Sequence, residues 1–186
     1  MNAKTLAKLS RYFLLISLLF VLVRACGLTT VEPGTVGVRY NNAFGLHEKD
    51  LGPGWHLEIL GLHRVWRLPS RYLFLNYTGR GALSIRTKDN NTVTVDVSVP
   101  YRIIPGRAWS VMDAGNHLTT GGRFRFERFA NDTTISVLRE NLAQLQSHDF
   151  YNTDRRLAIA RSTTKELNKA LKPLQLQAST VLIRAS

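Results

Sequence analysis

The chain has 186 residues, 44% hydrophobic and 20% charged, enough to bury a sizeable core in one domain or two small packed lobes. A single cysteine excludes an intramolecular disulfide framework, so packing must supply the stability. Lys and Arg number 25 against 13 Asp and Glu, and the formal net charge of +12 implies anionic company: lipid head groups, an acidic protein surface or nucleic acid.

The first element is a basic lead (Lys4, Lys8, Arg11), an apolar run from Tyr12 to Val23 and a closing Arg24, with no acidic residue before Glu32. Residues 1–28 therefore read as a membrane anchor or a lipoprotein signal segment. The uncharged stretch between Arg11 and Arg24 covers roughly 18 Å as a helix, against a hydrocarbon core of about 30 Å. A span then requires the two arginines to snorkel. The alternative is cleavage: Val23-Arg24-Ala25-Cys26 resembles a bacterial lipobox in every position except Arg24, and it makes Cys26 the candidate lipid-attachment residue. Both readings stay open, and both leave the lead in the cytoplasm and the remainder on the extracytoplasmic side.

From residue 30 to 104 the pattern is that of strands. Thr35 to Tyr40 is β-branched and aromatic, Asn41-Asn42 supplies a turn, and Leu51-Gly-Pro-Gly-Trp55 a tighter one. Strands follow at Trp55 to Leu60, Leu62 to Leu68 and Arg71 to Tyr77. Between Thr92 and Arg102, Val93, Val95, Val97, Val99 and Tyr101 alternate with polar residues, which gives one buried and one wet face. Pro100 lacks a donor, so that end of the strand is expected at a sheet edge or beside a bulge.

Residues 105–186 change period. Arg107 to Ala114 predicts a short helix, and Gly115, Gly121 and Gly122 mark a loop. Arg123 to Gln146 is apolar at helical spacing, with a break expected at Asn131 to Thr134. Thr153 is the expected N-cap of a further helix that presents Leu157, Ala160, Thr164, Leu167 and Leu171 on one face. Leu176 to Arg184 returns to a strand. The order is α+β: a twisted, mainly antiparallel sheet, then helices and a final strand, behind the N-terminal membrane segment.

Four pieces in this order carry a family resemblance: Pro33-Gly-Thr-Val-Gly-Val38, Leu51-Gly-Pro-Gly-Trp-His56, the stretch Thr87 to Arg102, and Val181-Leu-Ile-Arg184. Over residues 30 to 186 the chain resembles the SPFH, or band 7, family of stomatins, prohibitins and flotillins. The resemblance implies a non-catalytic membrane scaffold that assembles with itself or with related SPFH proteins and restrains partners such as a membrane-bound protease. It places the main domain on the periplasmic face in a bacterium, or at the mitochondrial inner membrane as the alternative. It also implies that Gly34, Gly37, Gly52 and Gly54 form tight turns at the membrane-proximal end of the sheet. Family members continue from the closing strand into a long coiled coil, and this chain has no heptad tract. The expectation is a truncated relative, a domain cut from a longer protein, or a small member that joins another assembly through its Arg-rich helices.

The densest basic clusters, Arg123-Phe-Arg-Phe-Glu-Arg128 and Arg155-Arg156 with Arg161, are the candidate contacts for anionic lipid or an acidic partner, through Arg123, Arg125, Arg128, Arg155 and Arg156. A second functional reading is an envelope lipoprotein that acts as a monomeric binding module for such a partner. Nucleic acid is not expected, because no module pattern appears. Scattered histidines, a single cysteine and the lack of a Gly-x-Ser-x-Gly elbow give an enzyme or a metal or other cofactor little support. His56 and His63 read as strand histidines.

Overall fold

A computed structural model describes residues 3–185, except for the side chains of 3–9, 22–26 and 185. The chain divides into two compact units, Met1–Arg67 and Leu68–Ser186.

In the first unit, helix α1 (Ala3–Ala25) runs without a linker into strand β1 (Cys26–Val31). Strands β2 (Thr35–Asn41), β3 (Gly45–Leu51), β4 (Gly54–Ile59) and β5 (His63–Pro69) follow. Strand β1 pairs antiparallel with β4 as a ribbon, from Cys26 opposite Ile59 at one end to Val31 opposite Gly54 at the other. The remaining strands form a second sheet in the order β3-β2-β5. Glu32-Pro33-Gly34-Thr35 closes β1 to β2: the Thr35 N–H donates to the Glu32 carbonyl at 3.1 Å and Gly34 has a φ of +83°. Proline second and a positive-φ glycine third is the composition of a type II turn.

The glycines of the recognised motifs do not all do what the resemblance implied. The turns at Gly34 and at Gly52 to Gly54 lie at the end of the ribbon opposite the α1 junction. Gly37 is inside β2 and makes no turn. A Cβ there would meet Val31 Cγ2 at 2.8 Å, Val65 Cγ1 at 3.1 Å and the Leu51 Cβ at 3.2 Å. Glycine is needed at this position for close packing of the β-branched core around it.

The second unit is organised on one long central strand, β8 (Thr92–Ile103). On one side it pairs with β6 (Leu73–Tyr77) and β7 (Leu83–Arg86), and on the other with β11 (Leu176–Ala178) and β12 (Leu182–Ala185), all antiparallel. Val95, Val97, Val99 and Tyr101 are buried, as their alternation predicts. Pro100 is in the middle of this sheet and not at an edge. Its carbonyl accepts from the Ser179 N–H at 2.9 Å, so its backbone faces the interval between β11 and β12. The ladder is already interrupted there, so the missing proline donor costs no pairing. The expected single closing strand is accordingly two short ones.

Helix α2 (Ala108–Asp113) leads to a two-stranded hairpin, β9 (Thr119–Thr120) and β10 (Arg123–Phe124), where a plain loop was expected. Gly121 and Gly122 both have positive φ, at 61° and 78°, as a tight two-residue hairpin turn demands. Helix α3 (Arg125–Leu142) then runs unbroken through Asn131 to Thr134. Ala130 and Thr134 are fully buried, and Asn131 accepts the Tyr77 hydroxyl at 2.9 Å, so tertiary contacts override the weak local propensity. Helix α4 (Thr153–Leu171) is capped one residue earlier than expected, by Asn152, whose side chain accepts the Arg155 N–H at 3.1 Å. Its buried stripe is Thr163, Leu167 and Leu171, while Leu157 stays exposed. The Asn168 amide closes both backbone groups of Ala178, at 2.8 and 3.0 Å, and the Thr164 hydroxyl accepts the Val181 N–H at 3.0 Å. Helix α4 thereby ties down the break between β11 and β12.

Candidate functional site

The first unit carries an inverted surface. On the β1–β4 ribbon, Thr29 and Val31 point to the buried side. The register places Leu28 opposite Leu57 and Thr30 opposite Trp55, which puts Leu28, Trp55 and Leu57 together on the other side. That side should be polar, yet Leu28, Trp55 and Leu57 are 65%, 73% and 45% exposed. Leu60 and Leu62 extend it around the β4–β5 turn, and Asn42 bonds to the Gly61 and Leu62 carbonyls, which brings the β2–β3 turn with exposed Phe44 to the same place. Because Cys26 faces Ile59, this is the end of the ribbon from which α1 departs. Helix α1 itself is apolar and exposed from Tyr12 to Val21, although no helix among the described residues is long and apolar enough to cross a membrane. The Cys26 side chain, the candidate lipid-attachment point, lies outside the described residues. His56 and His63 are held by their ring nitrogens on the carbonyls of Gly52 and Leu57, at 2.8 and 2.7 Å.

In the second unit the five candidate arginines separate. Arg123, Arg125 and Arg128 line one groove of about 550 Å³ whose opposite wall is strand β6 from Leu73 to Tyr77. Arg156 lines a different cavity of about 450 Å³, together with Arg161 and Arg184, over an apolar floor that includes Val97, Ala160 and Val181. Arg155 lines neither. Arg161 belongs to the same run of sequence as Arg156, whereas Arg184, in β12, joins them only through the tertiary fold. At the first groove Glu127 caps α3 by accepting the Phe124 N–H at 3.3 Å, which orients the start of the helix. Burial, with Asp132 nearby, pushes the Tyr77 phenol up to about 12.

The Thr87 to Thr92 segment turns out to be a fastener. Asp89 accepts the Ser147 N–H at 3.2 and 3.3 Å as well as the Ser147 hydroxyl, and Lys88 N–H donates to the Leu145 carbonyl at 2.9 Å. This pins the β7–β8 turn to the α3–α4 connection. The Ser147 hydroxyl first, and Thr87 next, hold the Asp89 carboxyl well below the usual carboxylate range. A depressed carboxyl stabilises the fold above its unfolded value of about 4 and ceases to do so as pH falls through the folded value. The thermal midpoint is expected to fall below about pH 4 more steeply in the wild type than in Asp89→Asn. Parallel pH profiles of the two proteins would show that the fastener is inactive.

The SPFH domain / Band 7 family model matches residues 29–186. The chain belongs to the SPFH / band 7 family. No curated protein matches the chain significantly. The match begins within β1 and runs through both units, and members of this family are generally non-enzymatic, membrane-associated scaffolds that oligomerise.

Proposed function

We propose that this SPFH chain is a scaffold that seats its first unit on a membrane and assembles there with itself or related chains to restrain a partner membrane protein, a membrane protease being the class the family suggests. The observation that carries the reading is the apolar end of the first unit. Leu60, Leu62 and Phe44 lie where α1 leaves the ribbon, and Leu57, Leu28 and Trp55 continue the exposed apolar face along the ribbon toward its far end; exposed tryptophan and leucine on one such face suit an interface of head groups and acyl chains. Helix α1 is too short in its uncharged part to carry attachment comfortably alone, and the ribbon supplies the missing apolar area. The net charge of +12 adds attraction to anionic lipid.

Co-flotation of the full chain with vesicles containing anionic lipid tests this. The chain is expected to float with the vesicles and to remain partly bound at high salt, because the apolar term is not screened. Recovery of all of it in the unbound fraction would reject the reading. An acylated Cys26 would attach the chain at the same point, since Cys26 is the first residue of β1.

A further inference from the structure

The groove beside β6 has features that its arginines alone do not explain. Strand β6 pairs only with β8, so its other edge is open. Pro100 faces the β11–β12 side of the sheet, and the alternation of a strand then turns the backbones of Val97, Val99 and Tyr101 toward β6. Their partners Leu73, Leu75 and Tyr77 point back at them, and Phe74 and Asn76 direct their N–H and C=O groups outward into the groove. Among the described residues nothing accepts or donates to these backbone groups. Asn76 uses only its side-chain oxygen, on Ser98.

Across the groove stand Arg123, Arg125 and Arg128, all exposed and none in a salt bridge to any described carboxylate. Tyr101 also lines the groove, at 2% exposure. The site therefore offers a strand edge on one wall and three exposed guanidiniums on the other, with Glu127 the one carboxylate among its lining residues.

We propose that this groove binds an extended acidic segment of a partner protein, which adds as a strand to the free edge of β6 while its carboxylates pair with Arg123, Arg125 and Arg128. The backbone of Phe74 and Asn76 gives affinity independent of sequence, and the arginines select for acidic side chains. A second copy of this chain is the poorer occupant of this groove, because its acidic residues number only 13 against 25 basic ones. The proposal rests on the scaffold reading only in supposing that a partner is held, and the assay below does not depend on a membrane.

The test uses the full chain in mild detergent and a short, end-blocked fluorescent peptide of alternating valine and glutamate. Binding is expected, with hydrogen exchange at the Phe74 and Asn76 amides slowed at least about tenfold. The surface variant Arg123→Glu/Arg128→Glu should weaken binding by about tenfold or more, as should methylation of alternate peptide nitrogens. Equal binding of the methylated peptide would overturn strand addition, and equal binding of a valine–lysine peptide would overturn the role of the arginines. If the peptide does not bind while the double variant loses vesicle flotation, the groove is a lipid contact and the proposal is wrong. Failure of the peptide with flotation intact in both proteins rejects this proposal and leaves the scaffold reading standing.

Discussion

Phe126→Ala is expected to cost the second unit about 3–5 kcal/mol, the range for truncating a buried phenylalanine. Phe126 is fully buried in the first turn of α3, stacks on Phe124 with ring centroids 5.3 Å apart, and donates its backbone N–H to the Asn116 carbonyl at 3.1 Å. The ring packs the helix start against β10 while the backbone bond ties it to the segment after α2, so loss of the ring leaves a cavity beside an anchored backbone that cannot easily close. Because a domain is stable by only about 5–15 kcal/mol, the change removes a large part of the total. Urea unfolding should show a lowered midpoint with an unchanged slope. A shift below about 1 kcal/mol would mean that Phe126 is not packed as described.

The second large effect concerns partition and not stability. Trp55→Asp/Leu57→Asp alters two side chains that are already exposed, so the unfolding free energy should move by no more than about 0.5 kcal/mol per site. On a vesicle the same change removes two apolar side chains, each worth about 1.5–3 kcal/mol when buried, and places charge where acyl chains should be. The vesicle partition constant should fall on the order of a hundredfold or more, since each 1.4 kcal/mol is a factor of ten. Unchanged flotation would mean that the β1–β4 face does not meet the membrane, whatever α1 does.

Much of the fold is legible in the chain. The Thr92 to Arg102 alternation identifies β8 because one face is wholly buried, and period-two patterning is strongest in that case. Strand β3 is not legible, since Gly45-Leu-His-Glu-Lys-Asp-Leu51 has three exposed polar residues in a row and becomes a strand only by pairing with β2. Strand β1 is hidden by its junction with α1, where an apolar helix and a strand share a boundary with no turn residue between them. The hairpin at Gly121-Gly122 is marked in the sequence by its glycines alone, because strands of only two residues carry no period of their own. Position 100 shows the limit of local rules: proline does avoid a ladder hydrogen bond there, by facing a gap that exists only after α4 has folded back.

The candidate site was legible in kind and not in grouping. The arginine clusters are visible as a run of sequence, but their separation into two grooves depends on β6 and on β12, which are far away in the chain. The apolar end of the first unit could have been found from Leu28, Trp55 and Leu57 only with the β1–β4 register in hand. Without it, an exposed Trp55 is indistinguishable from a core tryptophan.

The central claim is that this SPFH chain assembles on a membrane. It is tested most directly by the native size of the full-length protein extracted from membranes in mild detergent. The account predicts a complex of many chains that persists when the lipid is exchanged. A single protomer at every concentration would contradict it.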